Sequence, residues 1–394
     1  MNLGALCGNI LTGYSSYKFG RKSTLLAFSC TMLLSHLICF FASTPLELYL
    51  ARFLVGIGLG AVFTVIPIYI GEVAETETRG FLSCMMPAFL AVGMLFIYAI
   101  GPFFSLRVLS SFLIVPIILF QLFFGIFVPE SPYFYVAIDK EEEARISLNK
   151  LRNRGSCCLK ELADIKEIVK ATQNNKFSFK QLISSRSFRR GIVITCVLMI
   201  LQQLIGIIII LAYMETIFIA SGSSLSSYMS TLIVAVIQVF VVGLSSYLSD
   251  RWGRRFLIAL SSGCSIPPLL SLGFYFFLKN AGSDVSSLWW LPVVSLIIFI
   301  ISYNIGLGPL PWTLLGEMFS SNTKSLASTI TASVNVSVSF FVTMVFPKLL
   351  EIIGYGGIFC CFATSALVSM LFVCLYVPET KGKRFQDILN ILEK

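Results

Sequence analysis

Long runs of apolar residues, separated by short polar or charged stretches, dominate the chain. A helix needs about 20 mostly apolar residues to cross the hydrocarbon of a bilayer. Eleven windows fit that pattern, near residues 3–17, 23–43, 48–71, 80–106, 108–129, 191–214, 225–249, 256–278, 285–316, 325–347 and 352–378. The first window is the shortest and least apolar. Pro and paired Gly inside several windows suit membrane helices, which tolerate both better than soluble helices do. Between 130 and 190 the pattern changes. There Leu159, Leu162, Ile165, Ile168 and Val169 recur at helical spacing among Lys and Glu. That periodicity predicts an amphipathic helix. Asp139 to Leu151 predicts another, with Glu141 four residues ahead of Arg145 on the same face. The expected fold class is an all-α membrane protein. It would comprise a five-span bundle over 1–129, a helical linker over 130–190, a six-span bundle over 191–378 and a tail over 379–394.

Composition agrees with lipid exposure. Hydrophobic residues make up 56% of the chain and charged residues 12%, where a soluble domain carries roughly 25% charged residues. The mean hydropathy is +0.86. A net charge of +9 would ordinarily raise nucleic acid as a partner. The placement of the charge removes that reading, because 25 of the 29 Lys and Arg fall on one set of alternate loops, the linker and the tail. Only Arg107, Lys279 and Lys348 fall on the other set, and Arg52 lies inside a window. Basic residues concentrate on the cytoplasmic side of membrane proteins. Linker and tail are therefore expected to be cytoplasmic, and Met1 external. Eleven cysteines and one histidine form no metal-ligand spacing, and no cofactor motif appears. Gly56, Gly58 and Gly60 lie inside an apolar window with no strand before them. They read as helix-packing positions rather than a nucleotide loop. No zinc-protease motif, nucleophile elbow or paired intramembrane carboxylate points to an enzyme.

The chain also repeats itself. Gly20-Arg21-Lys22 matches Gly253-Arg254-Arg255, Gly71-Glu72 matches Gly316-Glu317, and Pro129-Glu130-Ser131 matches Pro378-Glu379-Thr380. Arg79 and Lys324 each follow their Glu by seven residues. Duplicated halves are a signature of secondary transporters, which hold substrate near the midplane. Two windows precede the second basic turn and only one precedes the first. Symmetry therefore predicts one further span upstream of Met1.

Ordered motifs carry a resemblance across the whole chain. They are Arg52-Phe53-Leu54-Val55-Gly56, Gly71-Glu72 with Arg79-Gly80, and Pro129-Glu130-Ser131-Pro132. Next come Gln202-Gln203-Leu204 with Gly206, and Asp250-Arg251-Trp252-Gly253-Arg254-Arg255. Gly308-Pro309-Leu310-Pro311-Trp312 and Pro378-Glu379-Thr380-Lys381-Gly382 complete the set. This set resembles the sugar-porter branch of the major facilitator transporters, whose fold has twelve spans in two pseudo-symmetric bundles. Gly316-Glu317-Met318-Phe319, with Lys324-Ser325 and Ala327-Ser328, is most similar to insect facilitated trehalose transporters.

The resemblance implies roles. Glu72, Arg79, Glu130, Asp250, Arg251, Arg254, Glu317, Lys324 and Glu379 are expected to pair across the halves and gate the cytoplasmic side. Gln202, Gln203, Gln238, Trp312 and Asn335 are expected to contact the sugar. An indole offers a flat apolar face, and amides both donate and accept hydrogen bonds as a polyol requires. Each amide has a second reading, an interhelical hydrogen bond. Three positions depart from the family: Ile208 stands where Asn is usual, Pro87 where Gln is frequent, and Tyr17 where an acidic residue is usual. The first two remove sugar-binding groups, and the third weakens the first-half gate. Arg52 and Glu215 are the charges within spans away from the cytoplasmic ends. Such scarcity favours an uncharged substrate over an ion-coupled one. The expected function is facilitative transport of a neutral sugar, a hexose or a disaccharide such as trehalose, by alternating access in the plasma membrane. The missing span and lost amides favour the alternative, a sugar-binding receptor or truncated inactive form that moves nothing. The partners implied are the sugar and the bilayer.

Overall fold

The computed structural model describes residues 1–75, 79–152, 161–167, 169, 186–222, 226–319 and 321–381. Its described residues form helices and no strand. Among them nine helices are long and apolar enough to cross a membrane: Arg21–Phe41, Pro45–Val73, Met85–Phe103, Leu106–Phe127, Arg186–Ala212, Tyr228–Ser245, Arg254–Asn280, Leu291–Met318 and Leu326–Tyr376. The difference from eleven has two physical sources. Helix Asn2–Phe19 carries Asn9, Thr12, Ser16 and Lys18, which lower its hydropathy. The last two windows form one run, 51 residues long, interrupted only at Gly354, where φ is 64° and ψ 178°.

Local chemistry explains several boundaries. Pro45–Val73 opens on a capping box, with the Thr44 side chain accepting from the Glu47 N–H and the Glu47 carboxylate accepting from the Thr44 N–H. That arrangement satisfies two of the helix's orphan donors. Gly20 and Gly253 turn the chain into helices Arg21–Phe41 and Arg254–Asn280 with φ of 95° and 88°, which only Gly adopts without strain.

Two compact units result. The first comprises Met1–Leu82, Phe104–Arg189 and Phe319–Val336; the second comprises Ser83–Phe103, Arg190–Met318 and Ser337–Lys394. Within the first, helices Asn2–Phe19 and Pro45–Val73 meet backbone to backbone. A Cβ on Gly8 would lie 2.3 Å from the Ile57 carbonyl oxygen, and one on Gly60 would lie 2.6 Å from that of Ala5. Gly56 and Gly58 are equally crowded, by Met1 and Met32. These glycines are packing residues, as the sequence implies.

The linker adds a small core to this unit. Helices Pro132–Ala137 and Glu141–Arg152 and a helix over 161–167 bury Val136, Ala144, Leu148, Leu162, Ile165 and Val169 together. Leu159 and Ile168, also expected on that apolar face, lie outside the described residues. The expected pairing of Glu141 with Arg145 is not observed. Arg145 bonds Glu142 at 2.7 Å, while Glu141 reaches across to Lys166 at 2.6 Å. A neighbouring helix offers Glu141 a cation on the face that holds the linker together.

In the second unit, Tyr98 donates to the Leu211 carbonyl at 2.8 Å and Tyr228 to that of Ala99 at 3.1 Å. These bonds tie the 83–103 helix to its neighbours. The C-terminal carbonyls of helix Met214–Ser221 are covered by the Lys279 ammonium, at 2.7 Å from Ala220 O, and by the Tyr275 hydroxyl, at 2.8 Å from Ser221 O. A cation and a donor there suit the negative end of the helix dipole.

Candidate functional site: twin carboxylate clusters and a broken helix

In the first unit, Gly20 is the N-cap of Arg21–Phe41 and has no side chain to offer the helix's free N–H groups. Glu130, 7% exposed, supplies the missing acceptor. Its carboxylate accepts from the N–H of Arg21 at 2.9 Å, of Lys22 at 3.0 Å and of Ser131 at 2.9 Å. A carboxylate at a helix N-terminus also meets the positive end of the dipole. The Arg21 guanidinium bonds Glu72 at 2.7 Å, and the Ser131 hydroxyl donates to the other oxygen of Glu72 at 2.5 Å. Lys22 donates to the Gly125 carbonyl at 2.7 Å. The linker is fastened to the same place, since Arg152 donates to the Val73 carbonyl at 2.9 Å and pairs with Glu161 at 2.7 Å. Beside it, burial first and then the Glu130 and Glu143 carboxylates push the Tyr135 phenol above its ordinary pKa.

The second unit repeats this construction from its own residues. Glu379 accepts from the N–H of Arg254 at 3.0 Å and of Arg255 at 3.2 Å. Arg254 pairs with Glu317 at 3.1 Å, and the Thr380 hydroxyl donates to Glu317 at 2.5 Å. Arg255 donates to the Cys374 carbonyl. The Cβ that Gly20 and Gly253 lack would lie 2.3 Å from Glu130 Oε2 and 2.7 Å from Glu379 Oε2, so each carboxylate fits against a glycine. Three motifs distant in sequence thus form one cluster in each unit. Arg21, Ser131 and Thr380 belong to these clusters and were absent from the expected gating set. The repeat held the signal, because Arg21 aligns with Arg254. Both Arg–Glu pairs lie wholly within one unit. Arg251 is exposed, and its carbonyl accepts from Lys381 at 2.6 Å. The backbones of Arg79, Asp250 and Lys324 are helical, and their side chains lie outside what is described.

The expected sugar residues Gln202, Gln203, Gln238 and Trp312 all belong to the second unit, and Asn335 to the first. The four amides are buried, with Gln202 3%, Gln203 9%, Gln238 8% and Asn335 7% exposed, and Trp312 is half-buried. Two helix breaks lie beside three of them, Gln202, Gln203 and Trp312. One follows the Gln pair, at Gly206, whose φ of 88° starts helix Ile207–Ala212. A Cβ on Gly206 would lie 2.3 Å from the Phe362 ring. The sequence reads 191–214 as one window, because glycine is common in membrane helices and does not by itself announce a break. The other break separates Leu291–Ile305 from Leu310–Met318, with Pro309 just ahead of the second helix and Pro311 in its first turn. Trp312 lies on the short second piece. Ser245 donates to the Ile305 carbonyl at 2.8 Å, and Gln202 Nε2 to those of Leu307 and Gly308, each at 2.8 Å. Ser261 accepts from the Leu307 N–H at 2.9 Å. Asn304, buried beside Gly308, is a further polar residue at this break that the sequence reading missed. A hollow of about 420 Å³ lies elsewhere, lined by Cys39, Thr44, Leu48, Ser105 and Arg107 among others. It holds none of the expected sugar residues.

The sequence pattern of the family described as "Sugar (and other) transporter" matches residues 1–392. A protein of Bombyx mori described as facilitated trehalose transporter Tret1 is 33% identical over 392 residues, covering 98% of this chain and 77% of its own. A protein of Anopheles gambiae with the same description is 32% identical over 98% of this chain, which spans 49% of that relative's length. Among solved structures, the major facilitator proton:xylose symporter XylE bound to 6-bromo-6-deoxy-D-glucose matches with a TM-score of 0.84. Its identity is 24%, over 100% of this chain and 87% of its own. That likeness establishes the major facilitator fold.

Proposed function

The chain belongs to the sugar (and other) transporter family, and on that premise we propose that it carries a neutral sugar across a membrane by facilitated diffusion, with trehalose or a hexose as substrate. The observation that carries this reading is the paired construction of the two clusters, since the same capped, ion-paired helix junction built once in each repeat is the duplicated architecture of secondary transporters. Glu72, Arg79, Glu130, Asp250, Arg251, Arg254, Glu317, Lys324 and Glu379 are the gating residues in this reading. Gln202, Gln203, Gln238, Trp312 and Asn335 contact sugar hydroxyls and the sugar ring face. Relatives described as facilitated trehalose transporters support the substrate class, and the scarcity of charge within the spans supports an uncharged cargo. The chain crosses the plasma membrane eleven times, with linker and tail cytoplasmic, where the basic residues concentrate.

Uptake of a panel of labelled neutral sugars by cells expressing the protein tests this reading. At least one sugar enters faster than in control cells if it is right, and none does if it is wrong. Ile208, standing among buried isoleucines where the family usually has Asn, favours a second reading, a receptor that binds sugar without moving it. Sugar binding without uptake on the same preparation would select that reading.

A further inference from the structure

In an α-helix each N–H donates to the carbonyl four residues back. Where Leu291–Ile305 ends, that order changes. The Tyr303 carbonyl accepts from the N–H of Gly308, five residues on, at 2.9 Å. Such a bond makes a π-turn, a rare form that occurs mostly as a single turn and often at functional sites. It displaces one donor, the Leu307 N–H, whose regular helical acceptor is the Tyr303 carbonyl. Leu307 is fully buried, and a buried N–H needs an acceptor. A different helix provides it. Ser261, on Arg254–Asn280 and 1% exposed, accepts the Leu307 N–H on its Oγ at 2.9 Å. The same hydroxyl donates to the Tyr303 carbonyl at 3.4 Å. It therefore stands between the two groups that a regular helix joins directly. Gly306 makes room for it, because a Cβ there would lie 2.8 Å from Ser261 Cβ and 2.3 Å from the Leu257 carbonyl oxygen.

We propose that Ser261 is a positioning residue, whose hydroxyl holds residues 303–308 in the π register and so sets the direction in which helix Leu310–Met318 presents Trp312. With Ser261 in place, Leu307 and Gly308 each have an acceptor of their own. Without it, both N–H groups turn to one carbonyl, and the register is free to slip by a residue. One residue is about 100° of rotation and 1.5 Å of rise, which swings the indole onto a different face. The effect on transport rests on the sugar-transport reading; the pinned turn does not.

The test compares three variants of the whole protein in nanodiscs, each lacking one buried hydroxyl of the same helix: Ser261→Ala, Ser262→Ala and Ser265→Ala. Ser262 bonds Ser369 at 3.1 Å and Ser265 the Ser261 carbonyl at 2.8 Å, so these two are controls for the loss of a hydroxyl as such. Hydrogen exchange is read in a peptide covering 303–314. Ser261→Ala speeds it by about tenfold, whichever N–H keeps the carbonyl, and the controls stay within about twofold of the parent. Acrylamide quenching reads Trp312 in a background with Trp252, Trp289 and Trp290 replaced by Phe. Ser261→Ala changes that quenching by about twofold or more, and the controls leave it unchanged. Parent-like exchange in Ser261→Ala, or equal changes in all three variants, overturns the pinned turn. Faster exchange with unchanged quenching overturns the positioning of Trp312. Uptake of D-glucose and trehalose into proteoliposomes then falls by about tenfold in Ser261→Ala, as a misplacement of about 1 Å can cost that much, and parent-like uptake overturns the role in transport. A parent that carries neither sugar overturns the sugar-transport reading, and exchange and quenching still decide the turn.

Discussion

Replacing Glu130 by Ala removes the acceptor that caps helix Arg21–Phe41, whose N-cap, Gly20, has no side chain to take over. The carboxylate accepts three N–H groups at 2.9–3.0 Å, from Arg21, Lys22 and Ser131, and is buried. Loss of an N-cap acceptor costs about 0.5–2 kcal/mol and each stranded buried donor about 1–3 kcal/mol, and these effects overlap rather than add. We expect E130A to destabilise the first unit by about 4 kcal/mol. E130Q keeps one accepting oxygen, loses the charge facing the helix dipole and turns an NH2 toward donors, for about 2 kcal/mol. At about 2–4 °C per kcal/mol for a unit of this size, E130A melts roughly 8–15 °C below the parent, with E130Q between them. Thermal unfolding in nanodiscs, read by reaction of the buried Cys39 thiol, measures this. E379A behaves likewise in the second unit, where Glu379 caps Arg254–Asn280. Glu72→Gln added to E130Q costs less than the separate losses combined, because Ser131 bonds both carboxylates and shared partners break additivity. An E130A protein melting with the parent would refute the capping role.

Other outcomes follow from the same geometry. Glu317→Ala or Arg254→Ala removes a pair whose side chains are 28% and 14% exposed. Each shifts the protein toward its inward-open state by about 1–2 kcal/mol; unchanged reactivity of a cytoplasmic-cavity cysteine in both variants would contradict this. Trp312→Ala and Gln203→Ala each weaken sugar binding by about 0.5–1.5 kcal/mol with expression intact, read by sugar-dependent thermal shift. Leu148→Ala empties the linker core, where Leu148 is 1% exposed, at a cost of about 2–5 kcal/mol. Limited proteolysis should then cut the linker first, and cleavage at the parent's rate would count against a folded linker.

The repeat was legible because its motifs occupy places with strict physical demands. A positive-φ turn requires Gly20 and Gly253, and a helix N-terminus draws the carboxylates of Glu130 and Glu379. Pairing was less legible. Sequence spacing offered Glu141 only Arg145, whereas folding brought Lys166 to it from a separate helix. The resemblance implied charges that join the two halves, while Arg21–Glu72 and Arg254–Glu317 each close within one unit. Pro309 and Pro311 have no N–H, so the sequence signals a broken helix but not what satisfies its freed carbonyls. Their new donors, Ser245 and Gln202, come from helices 60 and 105 residues away in sequence, beyond any local pattern. Hydropathy read residues 325–347 and 352–378 as two windows, whereas they form one run whose bend is marked by the positive φ of Gly354.

Exchange of labelled trehalose and D-glucose into proteoliposomes holding the protein, with binding measured on the same preparation, tests the central claim most directly. The account predicts saturable flux of at least one of these sugars, competed by the unlabelled sugar, equal with and without a pH gradient, and sharply reduced in Trp312→Ala. Flux that requires the gradient, binding with no flux, or neither binding nor flux for any neutral sugar would contradict it.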